Sequence, residues 1–489
     1  MKSKKLILTT INAKKTLYSG TADNLAAIAP NIPMALLHSY LTSKEIPVET
    51  IDSESEGLLI DDLINRLLEE SPAIVGVIAS GANPSASTMS MVGGIEFFKK
   101  VNKLKEKSFT TFIWGPHPTV LSKRTLLDTG ADYVIKGEGY DTIVDLYKKV
   151  VEKNNGCAIP GLAYFENDKY METTPPLLVD VDKLPMIDWG YKKPGIYRAH
   201  NWHCFGPEIN NRTPYAIVWT SMGCPYPCDF CCINNLFGKR TFRFRSIKNV
   251  VAEIDILVNK YSVKHIKILD ELFIIKHKRI DEFCDMLKER NYDLNMWCFA
   301  RADTITPDIL KKIKKVGMNW IAYGFESPDK DVLKNTNKRL TVDFDEVIKM
   351  TRDAGINICA DVIVGLWNDD ASTIERMKEF LFKHEFEWIN IYPAFAFPGS
   401  NFYNDLLQQG IITEPGDWSI YSLYGYDCKP LHSKYLTSEQ ILRYRDDIFN
   451  EYYRDTRILN MLEKKFGTET RKHVEGMTSI KLRRKILGD

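Results

Sequence analysis

The sequence predicts an α/β chain: a doubly wound parallel-sheet domain, then a partial (β/α)6 barrel, then a helical C-terminal cap. Two alternations of short apolar runs with helical segments predict it, separated by a proline-rich stretch without periodicity. At 489 residues there is room for more than one domain, and 44% hydrophobic with 26% charged residues is an ordinary globular balance.

The first alternation fills residues 1–150. KLILTTI, VETID, AIVGVIAS, TTFIWG and DYVIKG read as five strands, with MALLHSYLTSK, LLIDDLINRLLEE, MVGGIEFFKKVNKL and KRTLLDTG as helical segments between them. Strands alternating with helices pair in parallel, and such Rossmann-like sheets take ligands at their strand carboxyl ends. The loops there are SGANPSAS (with Ser80, Gly81 and Asn83), GPHPT (Gly115, His117, Pro118, Thr119) and GEGYD (Gly137, Glu138, Gly139). Their small residues let a large ligand lie close to backbone.

Residues 151–210, with TTPPLLVDVDKLPMIDWGYKKPG, are expected as a linker packed along the surface. The second alternation, 211–400, runs through YAIVWTS, HIKILDE, LNMWCFAR, NWIAYGFES, INICADVIVG and WINIYPAFA. Six strand-helix units predict a partial barrel whose site lies at the strand carboxyl ends. Residues 401–489 include EQILRYRDDIFNEYYRDTRILNMLEKKFG, an amphipathic helical pattern expected to cap the barrel mouth against substrate.

A net charge of +1 gives no general attraction to nucleic acid or anionic membrane. The opening MKSKKLILTTI has an apolar run too short for a signal peptide, so the chain reads as cytoplasmic, without membrane or nucleic-acid partners. The basic run Lys239–Ser246 reads as a solvated or salt-bridged loop. Cysteines at 157, 204, 284, 298, 359 and 428 are scattered and form no disulfide framework.

The remaining four cysteines crowd into SMGCPYPCDFCCINN, just after the first barrel strand. Cys224, Cys228 and Cys231 stand as C-x3-C-x2-C. Three thiolates on one loop can hold three irons of a 4Fe-4S cluster and leave the fourth iron open for chemistry. A closed structural zinc site needs a fourth ligand, and Cys232 points away from an engaged neighbour.

This spacing, with Phe230 before the third cysteine, resembles the radical S-adenosylmethionine superfamily. The resemblance implies that the open iron chelates S-adenosylmethionine and that reduction releases a 5'-deoxyadenosyl radical. It also assigns cofactor contacts to Gly324, Glu326 and Ser327 in YGFES, and to Asp270 and Glu271 in ILDELF. Arg301 in FARAD is a candidate partner for a carboxylate, which a guanidinium binds bidentately. Gly365 in VIVGLWNDD matches a family glycine, but the usual G-x-P-G-E-T run is replaced from Leu366 to Asp369. PGSNFY is similar to a turn after the last strand in one subgroup.

That subgroup carries an N-terminal cobalamin-binding (class B type) domain, which WGPHPTVL, VIKGEGYDTI and the linker phrase VDVDKLPMIDW resemble. It implies cobalamin against the three loops named above. The D-x-H-x-x-G run that supplies an imidazole to cobalt is absent, and neither His38 nor His117 is expected to ligate. A methylthiotransferase with a second cluster is excluded, because residues 1–156 hold no cysteine.

The function so implied is methylation of an unactivated carbon of a small molecule or peptide, through the 5'-deoxyadenosyl radical and methylcobalamin. The alternative is a cobalamin-dependent cyclase, ring-contracting or rearranging enzyme without methyl transfer. Either takes electrons from a donor such as flavodoxin or ferredoxin. Substrate identity is expected in the cap and sixth strand, among Tyr392, Phe395, Phe397, Trp418, Tyr421 and Tyr424.

Overall fold

The structure is a computed structural model describing residues 4–18, 27–81, 83–105, 107–153, 158–191 and 193–489. Cys157 lies outside the described residues, and the other cysteines are free thiols.

The front sheet contains the five expected strands, β1 (Leu6–Thr10), β2 (Val48–Asp52), β3 (Ile74–Ile78), β4 (Thr110–Trp114) and β5 (Tyr133–Ile135), parallel in the order β2-β1-β3-β4-β5. Every residue of β1 and β3 is buried, because helices cover both faces. The sheet then continues into the stretch expected as linker. An antiparallel hairpin, β6 (Leu162–Glu166) and β7 (Lys169–Glu172), adds to the edge of β5, so the front domain extends beyond residue 150.

The rest of the linker straps the two domains together. The Tyr191 hydroxyl accepts the Thr50 N–H at 2.6 Å, and the Tyr197 hydroxyl donates to Asp52 at 3.0 Å. Trp189 Nε1 donates to Glu253 at 2.7 Å on the barrel helix Ile247–Tyr261. His38 stacks on Tyr191 at 4.2 Å as a core residue.

The barrel follows as β8 (Tyr215–Val218), a short antiparallel pair β9 (Ser221–Met222) and β10 (Arg243–Phe244), then β11 (His265–Ile268), β12 (Asn295–Ala300), β13 (Met318–Glu326), β14 (Asn357–Val364) and β15 (Trp388–Pro393). The six parallel strands run β15-β14-β13-β12-β11-β8 and leave β8 and β15 as edges. The linker turn Trp202–Cys204 plugs the barrel floor: Trp202 packs on Trp297 and Trp320 at 5.0 and 5.2 Å, and His203 Nε2 lies 2.9 Å from the Asn295 carbonyl.

The C-terminal region divides its work. Helix Ser438–Arg454 lies along β15, where the Tyr453 hydroxyl takes the Ile389 N–H at 2.8 Å and Arg445 Nε donates to the Ile391 carbonyl at 3.0 Å. The expected single helix breaks at Asp455, whose carboxylate accepts the Arg457 N–H and starts helix Thr456–Phe466. The front-domain core is joined both by the segment before these helices and by the first of them: Phe395, Trp418, Tyr421 and Leu442 cluster with Ile7, Ile51 and Met91. Within the basic run, Arg243 and Arg245 are ion-paired to Glu138 and Glu253, while Lys239 and Arg240 are exposed.

Candidate active site

The cysteine loop begins where β8 ends. Gly223 holds φ +87°, and a Cβ there would strike the Thr241 carbonyl, so the tight entry into the loop requires glycine. Asn234 brackets Cys224, donating to its carbonyl at 3.0 Å. Asp229 ties the loop outward, with Asn337 and Asn401 donating to its carboxylate at 2.6 and 3.1 Å. Cys224, Cys228 and Phe230 are half-buried, Cys231 is exposed, and Cys232 is buried in the protein at 7%. Among the described residues no three His, Cys, Asp or Glu side chains gather as around a single ion. A cubane spreads its thiolates over separate irons, so three free thiols on one short loop fit an open-iron cluster better than a zinc site.

The strand-end residues divide into those that face this loop and those that brace it. Asp270, expected beside the cofactor's amino group, instead accepts the Thr220 N–H at 2.6 Å and the Ser221 hydroxyl at 2.6 Å, which fixes the start of the cysteine loop. Glu271 stays half-exposed, and burial pushes its carboxyl up to about 7, opposed by Lys267. Arg301, expected to hold a cofactor carboxylate, grips Asp303 with two bonds of 2.9 Å. Its guanidinium also lies 3.8 Å above the Tyr226 ring, with Nη1 3.8 Å from Cys228 Sγ. Arg301 therefore tunes the field at the thiol loop.

Glu326 sits at φ +61° just past a register shift between β13 and β14, an unusual conformation for a side chain with a Cβ. The bulge turns its carboxylate onto Lys338, 2.5 Å away, and Lys338 also donates to the Gly324 carbonyl at 2.5 Å. Sequence reasoning missed Lys338. Its neighbours Asn337 and Arg339 both hold positive φ, 54° and 46°, so a strained loop drives this ammonium inward. Ser327 is fully buried and its hydroxyl accepts the Asp329 N–H at 3.2 Å. Gly365, at φ +90°, packs against Ile441, and its N–H goes to Asp369, the residue that replaces the family run.

The three loops of the front sheet converge on the other side. In the first, Ser80 and Gly81 are half-exposed and Asn83 is exposed, with its side chain capping the turn through the Ala86 N–H at 3.0 Å. Gly115 has no room for a Cβ against the Ala79 carbonyl. Thr119 Oγ1 accepts the Gly137 N–H at 3.2 Å, which locks the second loop to the third. Pro118 is buried in the short helix Pro116–Val120, and Gly139 opens helix Tyr140–Val151 at φ +78°. That short helix packs against the turn Ile233–Phe237, directly downstream of the cysteines. Two residues of this set are engaged elsewhere. Glu138 is ion-paired to Arg243, and His117 lies edge-on beneath Trp418 at 4.4 Å, with Nε2 lacking a hydrogen bond among the described residues. Burial pushes the His117 imidazole down to about 3, so it is neutral. The remaining small-residue loops fit a broad, flat ligand.

Residues 220–381 match the Radical SAM superfamily. That segment is a radical S-adenosylmethionine domain. Over its whole length the chain shares the fold of solved cobalamin-dependent radical S-adenosylmethionine proteins. It superposes on the radical S-adenosylmethionine methyltransferase TsrM from Kitasatospora setae, solved with cobalamin and a [4Fe-4S] cluster, at TM-score 0.68, covering 98% of this chain and 100% of that one at 14% identity. By sequence it is 25% identical over 433 residues to an uncharacterized methyltransferase of Pyrococcus horikoshii, covering 88% of this chain and 89% of the relative. It is also 27% identical over 414 residues to the anaerobic magnesium-protoporphyrin IX monomethyl ester cyclase of Cereibacter sphaeroides, covering 83% of this chain and 63% of the relative. No helix among the described residues is long and apolar enough to cross a membrane.

Proposed function

We propose that this radical S-adenosylmethionine protein is a cobalamin-dependent methyltransferase acting on an unactivated carbon of a small molecule or peptide. The observation that carries the reading is a juxtaposition. Three free thiols leave the end of β8, and the turn just after them packs on the GPHPT helix of the front sheet. Cluster, S-adenosylmethionine and cobalamin would together supply a radical able to abstract hydrogen and a transferable methyl group.

The chain's own part is holding and shielding. Cys224, Cys228 and Cys231 would ligate the cluster; Glu271, Glu326 and the Gly324 and Gly365 backbone border the S-adenosylmethionine side; Ser80, Gly81, Asn83, Gly115, Thr119, Gly137 and Gly139 border the corrin side. The floor plug at Trp202 and the cap residues Trp418 and Tyr421 would help to shield the space between. An external one-electron donor such as flavodoxin or ferredoxin would serve the cluster. The likeness to a cyclase favours a second reading, cyclisation or rearrangement without methyl transfer.

The test is anaerobic reconstitution with iron, sulfide and hydroxocobalamin, followed by mass spectrometry of S-adenosylmethionine turnover. The methyltransferase reading expects 5'-deoxyadenosine only with the three cysteines intact, and S-adenosylhomocysteine only with cobalamin bound. Deoxyadenosine without S-adenosylhomocysteine moves the assignment to the cyclase class. Neither product, with no bound iron, ends both.

A further inference from the structure

We infer that Asp361 and Tyr392, on adjacent strands inside the barrel, form a receptor for a protonated amine on the substrate. The inference rests on the methyltransferase reading for the word substrate and adds its chemical class.

The barrel lumen is open in its upper half, and the strand pattern shows it. Register pairs Gly324 with Asp361, Asp361 with Asn390, and Ile363 with Tyr392, so these side chains share the inward face. Outward neighbours Tyr323, Phe325, Val362, Val364 and Ile391 are buried under helices, whereas inward Phe299, Gly324, Ile363 and Asn390 keep accessible surface and Tyr392 is 40% exposed. Burial, with Asp361 nearby, drives the Tyr392 hydroxyl well above its usual range.

Asp361 is held ready there. Trp388 Nε1 donates to Asn390 Oδ1 at 2.8 Å, and Asn390 Nδ2 donates to Asp361 Oδ1 at 2.8 Å. The second carboxylate oxygen accepts no hydrogen bond among the described residues and still touches the lumen. The Tyr392 hydroxyl likewise makes no hydrogen bond among the described residues.

The cations of the upper lumen already have partners. Arg301 is matched by Asp303 and Lys338 by Glu326, which leaves Glu271 and Asp361 sharing the field of Lys267. Lys267 lies lower, 4.8 and 5.0 Å from the Trp297 and Phe299 ring centroids. A carboxylate oxygen beside a phenol ring is a site for an ammonium group, which the ring face also attracts.

The experiment uses the full-length protein carrying cluster and cobalamin, titrated calorimetrically with phenethylamine, its neutral isostere 2-phenylethanol, and phenylacetate. The expected result is a preference for the amine of about tenfold or more. That preference disappears in Asp361→Asn and weakens in Tyr392→Phe, each shown folded by its melting transition. If Asp361→Asn does not fold, Tyr392→Phe carries the test alone. Equal binding of amine and alcohol, no binding at millimolar concentration, or a preference kept in the folded variants overturns the inference. Loss of amine binding on saturation with S-adenosylmethionine also overturns it, because Asp361 would then serve that cofactor's own ammonium. Deoxyadenosine formation is measured in the same preparations without probe. Its absence fails the methyltransferase reading while the amine preference remains measurable.

Discussion

Arg243 holds Glu138 with two hydrogen bonds, 2.7 Å from Nη2 to Oε1 and 3.1 Å from Nη1 to Oε2, and so clamps the turn after β5 to the strand behind the cysteine loop. Glu138 is 4% exposed in its side chain and Arg243 19%. Removing one partner strands the other charge in a desolvated seam. Glu138→Ala should therefore lower stability by about 2–4 kcal/mol, a buried-pair loss softened by the accessible Arg side. It should also open the linker to limited proteolysis; an unchanged melting temperature and cleavage pattern would refute the clamp.

Cysteine roles separate by position on the loop. Single Cys→Ser changes at 224, 228 and 231 should each abolish cluster absorbance and iron retention after reconstitution. Cys232→Ser should keep both, because that residue is buried and outside the C-x3-C-x2-C set. Iron and sulfide analysis decides it, and an iron-free Cys232→Ser protein would make it a ligand.

Lys338→Met should leave Glu326 buried without its cation. The expected cost is about 3 kcal/mol in urea unfolding. Affinity for S-adenosylmethionine in equilibrium dialysis should fall about tenfold, since the strained Glu326 backbone loses the contact that holds it. If affinity is unchanged, Lys338 acts on the fold alone.

Asp361 predicts a pH dependence. Burial, with Glu326 nearby, pushes its carboxyl up to about 7 despite Asn390 and Lys338. Below about pH 4 both folded and unfolded chains hold the proton, so no cost is present. Between about 4 and 7 only the folded chain holds it, so stability falls as pH rises, by on the order of 2–4 kcal/mol once pH exceeds the folded value. Asp361→Asn should thus gain on the parent protein between pH 5 and 8 in ligand-free unfolding curves. Parallel curves would show that the carboxylate is not desolvated.

How much of this was legible depended on locality. Parallel strands buried on both faces read as continuous apolar runs, as β3 (IVGVI) and β8 (YAIV) do, whereas β2 (VETID) and β11 (HIKI) were legible through alternation and their place between helical segments. The hairpin β6–β7 was hidden because its strands are short and half-exposed at an edge. Its signal was Asn167–Asp168, both in the left-handed region at φ 48° and 62° as a two-residue hairpin turn requires. The cysteine loop was legible because its residues lie together in sequence. Lys338 was not, since a loop lysine carries no period and only the fold brings it to Glu326. Asp361 left a trace, a lone carboxylate within ICADVIV, where a buried charge asks for a reason.

The helix that lies along β15 has a consequence for synthesis. Until Tyr453 and Arg445 reach the Ile389 and Ile391 backbone groups, the barrel presents an exposed strand border. Such a border recruits other strands indiscriminately. Residues 438–454 leave the ribosome after all six barrel strands, so each nascent chain passes through an interval in which its barrel is formed but unsealed. Chains shortened before Thr437 should collect as aggregates, while longer ones that keep this helix stay dispersed.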